Sequence, residues 1–123
     1  MTHFFEFYND IVRKLTSEHR NIYITGDFNI DLFKTDNHVN EFLSINSLFG
    51  ILPVIHTATR ITINSATLID NIFTNVIDSN AHCGTFCTDI TDHLPIFMIL
   101  KSTNSLRILE NTRQTFFKTR ASI

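Results

Sequence analysis

Ile22-Tyr23-Ile24-Thr25-Gly26-Asp27-Phe28-Asn29-Ile30-Asp31-Leu32 is the stretch around which the chain is organised. Three consecutive apolar residues fit a strand buried on both faces, and Gly26 breaks it just before a carboxylate and a carboxamide two residues apart. If the chain stays extended from Asp27 to Asn29, the side-chain period of two turns both groups to one face. One then offers acceptor oxygens and the other donors as well as an acceptor, a pair suited to a metal-bound phosphate and a water. The competing local reading is a tight turn in which Asp and Asn bond their own backbone.

The same pattern of apolar strand and polar tip recurs. Leu68-Ile69-Asp70-Asn71-Ile72-Phe73 carries a carboxylate inside an apolar run, and Thr91-Asp92-His93-Leu94-Pro95-Ile96-Phe97 sets Asp-His before another. An Asp among apolar neighbours is partly desolvated and needs a cation or a donor.

Working outward, the apolar positions Phe4, Phe5, Tyr8, Ile11, Val12 and Leu15 recur at helical spacing, which predicts an amphipathic helix over 4–19 lying on the sheet. A second helix is expected over 38–49, with Val39, Phe42, Leu43 and Leu48 inward and Gly50 ending it. Pro53 marks 51–55 as an edge strand or connector. Strands follow over 68–74, 83–88 and 95–101, and a helix carrying Leu106, Leu109 and Phe116 is expected within 105–118.

A chain of 123 residues with 43% apolar residues and twelve Phe is one domain with enough material for a packed core. The formal charge of −2 hides an asymmetry: residues 1–100 hold eleven acidic and five basic side chains (−6), and residues 101–123 five basic and one acidic (+4). An acidic body is a poor surface for nucleic acid unless divalent cations offset its carboxylates and local basic groups track the backbone. The longest apolar run, 94–100, is far short of a membrane span, and the N-terminus lacks a basic region followed by an apolar stretch, so a soluble, intracellular, unsecreted protein is expected. Cys83 and Cys87 have no companion ligands for zinc and read as free thiols. His3, His19, His38, His56 and His82 form no metal-ligand spacing.

Taken together and in this order, Gly26-Asp27-Phe28-Asn29, Leu68-Ile69-Asp70-Asn71-Ile72-Phe73-Thr74-Asn75 and Asp92-His93-Leu94-Pro95-Ile96 resemble the endonuclease/exonuclease/phosphatase superfamily. More narrowly, Ala58-Thr59-Arg60-Ile61-Thr62 followed by Ser65-Ala66-Thr67-Leu68-Ile69-Asp70 is similar to the endonuclease domain of non-LTR (LINE-type) retrotransposon proteins. The resemblance runs from about Ile22 to Leu100. It implies a partial four-layered α/β sandwich in residues 1–101, roughly one sheet with its covering helices, followed by a basic polar tail or linker at 102–123.

It also implies roles. Asp27 would orient or activate the attacking water, Asn29 would hydrogen-bond the phosphate, His93 would hold the phosphate or shuttle a proton, and Asp70 would fix the imidazole. Asp92, with Asp27, would assist with Mg²⁺ or Mn²⁺. Thr57, thirteen residues before Asp70, matches the family's substrate-contacting threonine, with Thr59 close enough to compete for that place. The implied substrate is DNA, the implied setting of the parent element is the nucleus, and the implied partners are an N-terminal half-domain and a downstream reverse transcriptase. Nothing before Ile22 resembles the family's early strands bearing an Asn and the Glu that is its principal metal ligand. The expectation is therefore the C-terminal part of a DNA-nicking endonuclease. The alternatives are a phosphatase or lipid phosphodiesterase of the same superfamily, or an inactive transposon-derived relic or binding module.

Overall fold

A computed structural model describes residues 2–77 and 81–100 and a two-residue strand at 115–116. The first helix, α1 (Thr2–Glu18), buries Phe5, Tyr8 and Val12 along one face, as their spacing predicts. Near its end the hydroxyls of Thr16 and Ser17 donate back to the carbonyls of Val12 and Lys14 at 2.9 and 2.8 Å. The second helix, α2 (Asn37–Leu48), starts one residue earlier than expected because Asp36 caps it, accepting from the Val39 N–H at 3.1 Å. At the other end Gly50, at φ +70°, takes the left-handed conformation that closes a helix and donates to the Ser47 carbonyl.

The strands are short. The central sheet has the order β2-β5-β1-β8, from β2 (Leu52–Pro53), β5 (Asp70–Thr74), β1 (Tyr23–Asp27) and β8 (Thr115–Phe116). β1 and β5 run antiparallel, as do β2 and β5, whereas β8 lies parallel to β1. Two small antiparallel pairs complete the described strands: β3 (Arg60–Ile61) with β4 (Ala66–Thr67), and β6 (His82–Thr85) with β7 (Ile96–Ile99). The protein is thus mixed α/β, with two helices and small, largely antiparallel sheets among the described residues.

Both helices cover one face of the central sheet. Phe28, Phe42 and Phe73 meet with ring centroids 5.2 to 5.3 Å apart, and Tyr8 joins Phe42 at 5.1 Å. Such tilted and edge-on pairs add to the area they bury. The cluster has a consequence for the site, because Phe28 follows Asp27 and Phe73 lies in the strand that begins at Asp70. The core therefore grips the backbone beside both carboxylates. Asn71, fully buried, ties in the edge: its Oδ1 accepts from Val54 and Ile55 N–H groups at 3.2 and 3.0 Å while its Nδ2 donates to the Ile55 carbonyl.

Several expectations are corrected. The strand expected over 68–74 begins at Asp70, since Leu68 and Ile69 give their carbonyls to Leu32 and Phe28 N–H groups beyond β1. β1 is buried on its helix-covered face at Ile24, whereas Tyr23 and Thr25 opposite remain partly exposed. Of the helix expected within 105–118, only Thr115–Phe116 is described, and it is a strand; the rest lies outside the described residues. β7 forms within the expected 95–101 run, yet no residue of the β6–β7 pair is buried. Among the described residues no helix is long and apolar enough to cross a membrane.

Candidate active site

The site is made by strand register. In the β1–β5 ladder Asp27 stands opposite Asp70 and Gly26 opposite Asn71, so two carboxylates from distant parts of the chain meet on the sheet face away from the helices. Both sit where a strand changes into a loop. Like charges placed across a ladder repel, and Asp70 is also partly withdrawn from water. Its pKa is accordingly raised, first by burial and further by the Asp27 charge, against the hydrogen bond from His93.

His93 arrives from the loop between β6 and β7. Its Nδ1 lies 3.0 Å from Asp70 Oδ2, leaving Nε2 directed away from that bond. The imidazole is the more open partner, with the His93 side chain 40% exposed and that of Asp70 15%. A hollow of about 310 Å³ lies over the three, lined by Thr25, Gly26, Asp27, Asp70, His93 and the segment 94–96. Thr91 shapes the loop: its hydroxyl accepts from the His93 N–H at 3.0 Å and donates to the His93 carbonyl at 2.9 Å.

Thr59 holds the base of the site. Fully buried, its Oγ1 accepts from the Ile69 and Asp70 N–H groups at 3.1 and 3.0 Å, fixing the entry into β5. Its carbonyl accepts from the Leu94 N–H at 2.7 Å, which carries the far side of the His93 loop. Thr57, which the spacing from Asp70 favoured, is exposed. The threonine buried at the junction is Thr59, which lies two residues beyond Thr57.

Asn29 and Asp92 do not join the cluster. The segment from Asp27 to Asn29 is a turn, not an extension: Asp27 Oδ1 accepts from the Asn29 N–H at 2.8 Å and Asn29 has φ +52°. That turn carries Asn29 to a neighbouring hollow of about 270 Å³, together with Asp31, Lys34, His38 and Arg60. Asp92, expected at the metal, instead accepts from Arg60 Nε at 2.9 Å, and this hydrogen bond holds its carboxyl below the usual carboxylate range. Asp92 is exposed, and its side chain is engaged by Arg60 instead of turned to the cluster.

Among the described residues, Asp27, Asp70 and His93 are the group that could hold a metal ion, their ligand atoms all lying within 4.8 Å of one another. Two carboxylates fit the oxygen preference of Mg²⁺ and Mn²⁺, and a cation between them would offset both the burial and the Asp27 charge that raise the Asp70 pKa. The imidazole nitrogen suits Mn²⁺ better than Mg²⁺. No known protein family, curated protein or solved structure matches the chain. The site therefore stands on its geometry and on the resemblance of its motifs.

Proposed function

We propose that this chain is the C-terminal part of a divalent-metal-dependent phosphodiesterase, and that its parent is the DNA-nicking endonuclease of a non-LTR retrotransposon protein. The observation that carries the reading is the convergence of Asp27, Asp70 and His93, three motif residues spread over most of the chain, on one hollow at the end of one pair of strands. The half-exposed apolar strand β7 also supports it, because a continuous apolar run is what a sheet facing a further layer carries.

In this reading Asp70 accepts from His93 Nδ1 and holds the ring so that Nε2 meets a phosphoryl oxygen or the departing alkoxide. Asp70 also stabilises the imidazolium beside an anionic phosphate. Asp27, across the ladder, accepts a proton from the water aimed in line with the leaving oxygen. A bound divalent cation would supply charge compensation on the phosphoryl oxygens, with Asp27 and Asp70 as its holders on this chain. Asn29, turned away from the cluster, acts on the phosphate only if its loop rearranges on binding.

The test is plasmid nicking with Mg²⁺ by this chain, and by a chimaera joining it to an N-terminal half from the family, each beside Asp27→Ala and His93→Ala versions. Nicking by the chain or the chimaera that both substitutions abolish supports the reading. A chimaera that nicks equally well with either substitution refutes it.

A further inference from the structure

His93 sits on a loop and its partner Asp70 on a strand, so something must hold the loop at that distance. The segment Thr59–Ile61 is placed to do so. On one side it binds the strand, through Thr59 Oγ1 and the Asp70 N–H. On the other it binds the loop at three successive residues. The Asp92 carbonyl accepts from the Ile61 N–H at 2.9 Å, Arg60 forms an antiparallel bridge with His93, and the Leu94 N–H donates to the Thr59 carbonyl at 2.7 Å. A side-chain contact closes the set, Arg60 Nε donating to Asp92 Oδ2 at 2.9 Å. These backbone bonds fix the height and the plane of the loop where it passes Arg60, and the side-chain contact beside His93 adds a restraint on the direction in which the imidazole faces. The ion pair engages Asp92, the residue next to His93, and so restrains the turn of the loop that aims the imidazole at Asp70.

We infer that Arg60 and Asp92 form a clamp whose task is to orient the His93 imidazole toward Asp70, making both positioning residues rather than ligands of metal or phosphate. Arg is suited to this task because its guanidinium presents donors in a fixed plane, which restrains direction as well as distance. The pair is 45% and 42% exposed, so its worth lies in geometry and not in stability. The effect on turnover rests on the proposed catalytic reading of Asp70 and His93; the effect on the ring does not.

The experiment is the ring ¹⁵N spectrum of His93 in the full chain, at a pH where the imidazole is neutral. In the native chain the hydrogen bond to Asp70 holds the proton on Nδ1. Arg60→Gln and Asp92→Asn are each expected to shift the population toward the Nε2-protonated tautomer with the far-UV spectrum unchanged, and Arg60→Lys to give an intermediate shift. The double variant Arg60→Asp with Asp92→Arg is expected to recover the Nδ1 form, which a merely structural role would not require. Asp10→Asn, which breaks the Asp10–Arg13 pair of α1, is the control expected to leave the ring spectrum unchanged. Native tautomer populations in both single variants would overturn the clamp, as would unfolding of both, because an orienting pair at the surface must be dispensable to the core. In a cleaving chimaera the single variants are expected to lower kcat about 10- to 100-fold with KM unchanged. A changed tautomer with unchanged turnover would leave the clamp standing and overturn the catalytic reading of the pair.

Discussion

Replacing Thr59 by valine keeps the shape of the side chain and removes one oxygen. That oxygen accepts two N–H groups, from Ile69 at 3.1 Å and Asp70 at 3.0 Å, in a place with no access to water. A buried donor left without a partner costs about 1–3 kcal/mol, so two would cost at most about 6 kcal/mol. Because both share one oxygen, each bond is weaker than an unshared one, and about 2–4 kcal/mol is the expected loss. Urea unfolding followed by far-UV dichroism reads this directly. With a slope near 2 kcal/mol per molar, the midpoint should fall by about 1–2 M at constant slope. Thr59→Ser is the necessary comparison, since it keeps the oxygen and loses a methyl worth about 0.8 kcal/mol. If valine proves the milder of the two substitutions, the hydroxyl is not what holds the entry to β5, and the account of how the site is anchored fails.

Other consequences are as open to measurement. Tyr8 donates to Asn46 Oδ1 at 2.6 Å inside the core, and burial raises its phenol well above the ordinary value. Tyr8→Phe should therefore cost about 1–3 kcal/mol by orphaning the carboxamide oxygen, a loss visible in the urea midpoint. Phe42→Ala should cost about 3–5 kcal/mol by opening a cavity at the centre of the aromatic cluster. Asp70 binds its proton more tightly folded than unfolded, so it favours folding in acid and that contribution is lost as pH rises through its raised pKa. Asp70→Asn should raise the thermal midpoint at neutral pH, with the gain vanishing below about pH 4, the ordinary range of an Asp. Mn²⁺ should raise the thermal midpoint of the native chain, by about 2.7 kcal/mol of stability at a hundredfold excess over Kd, and leave Asp27→Asn unmoved.

Residue order alone specified the helices, whose apolar faces repeat every three to four positions, except that Leu48, expected inward, is exposed at the end of α2, and it marked the polar tips at Asp27, Asp70 and Asp92-His93. Those signals are local, so they survive without knowledge of what packs where. The mixed α/β class and the Asp70–His93 pairing were legible through the motif resemblance. What only the tertiary structure decided is non-local or depends on one backbone angle. The register that sets Asp27 opposite Asp70 is fixed by ladder pairing and by the phenylalanine cluster behind it, between residues more than forty positions apart. The turn that removes Asn29 from the cluster follows from a single positive φ, which Asn tolerates and no periodicity reveals. The engagement of Asp92 with Arg60, and the choice of Thr59 over Thr57 at the junction, follow from the three-residue segment that stitches loop to strand. A sequence names the groups that can do chemistry; which of them meet is a property of strand register and of the turns between strands.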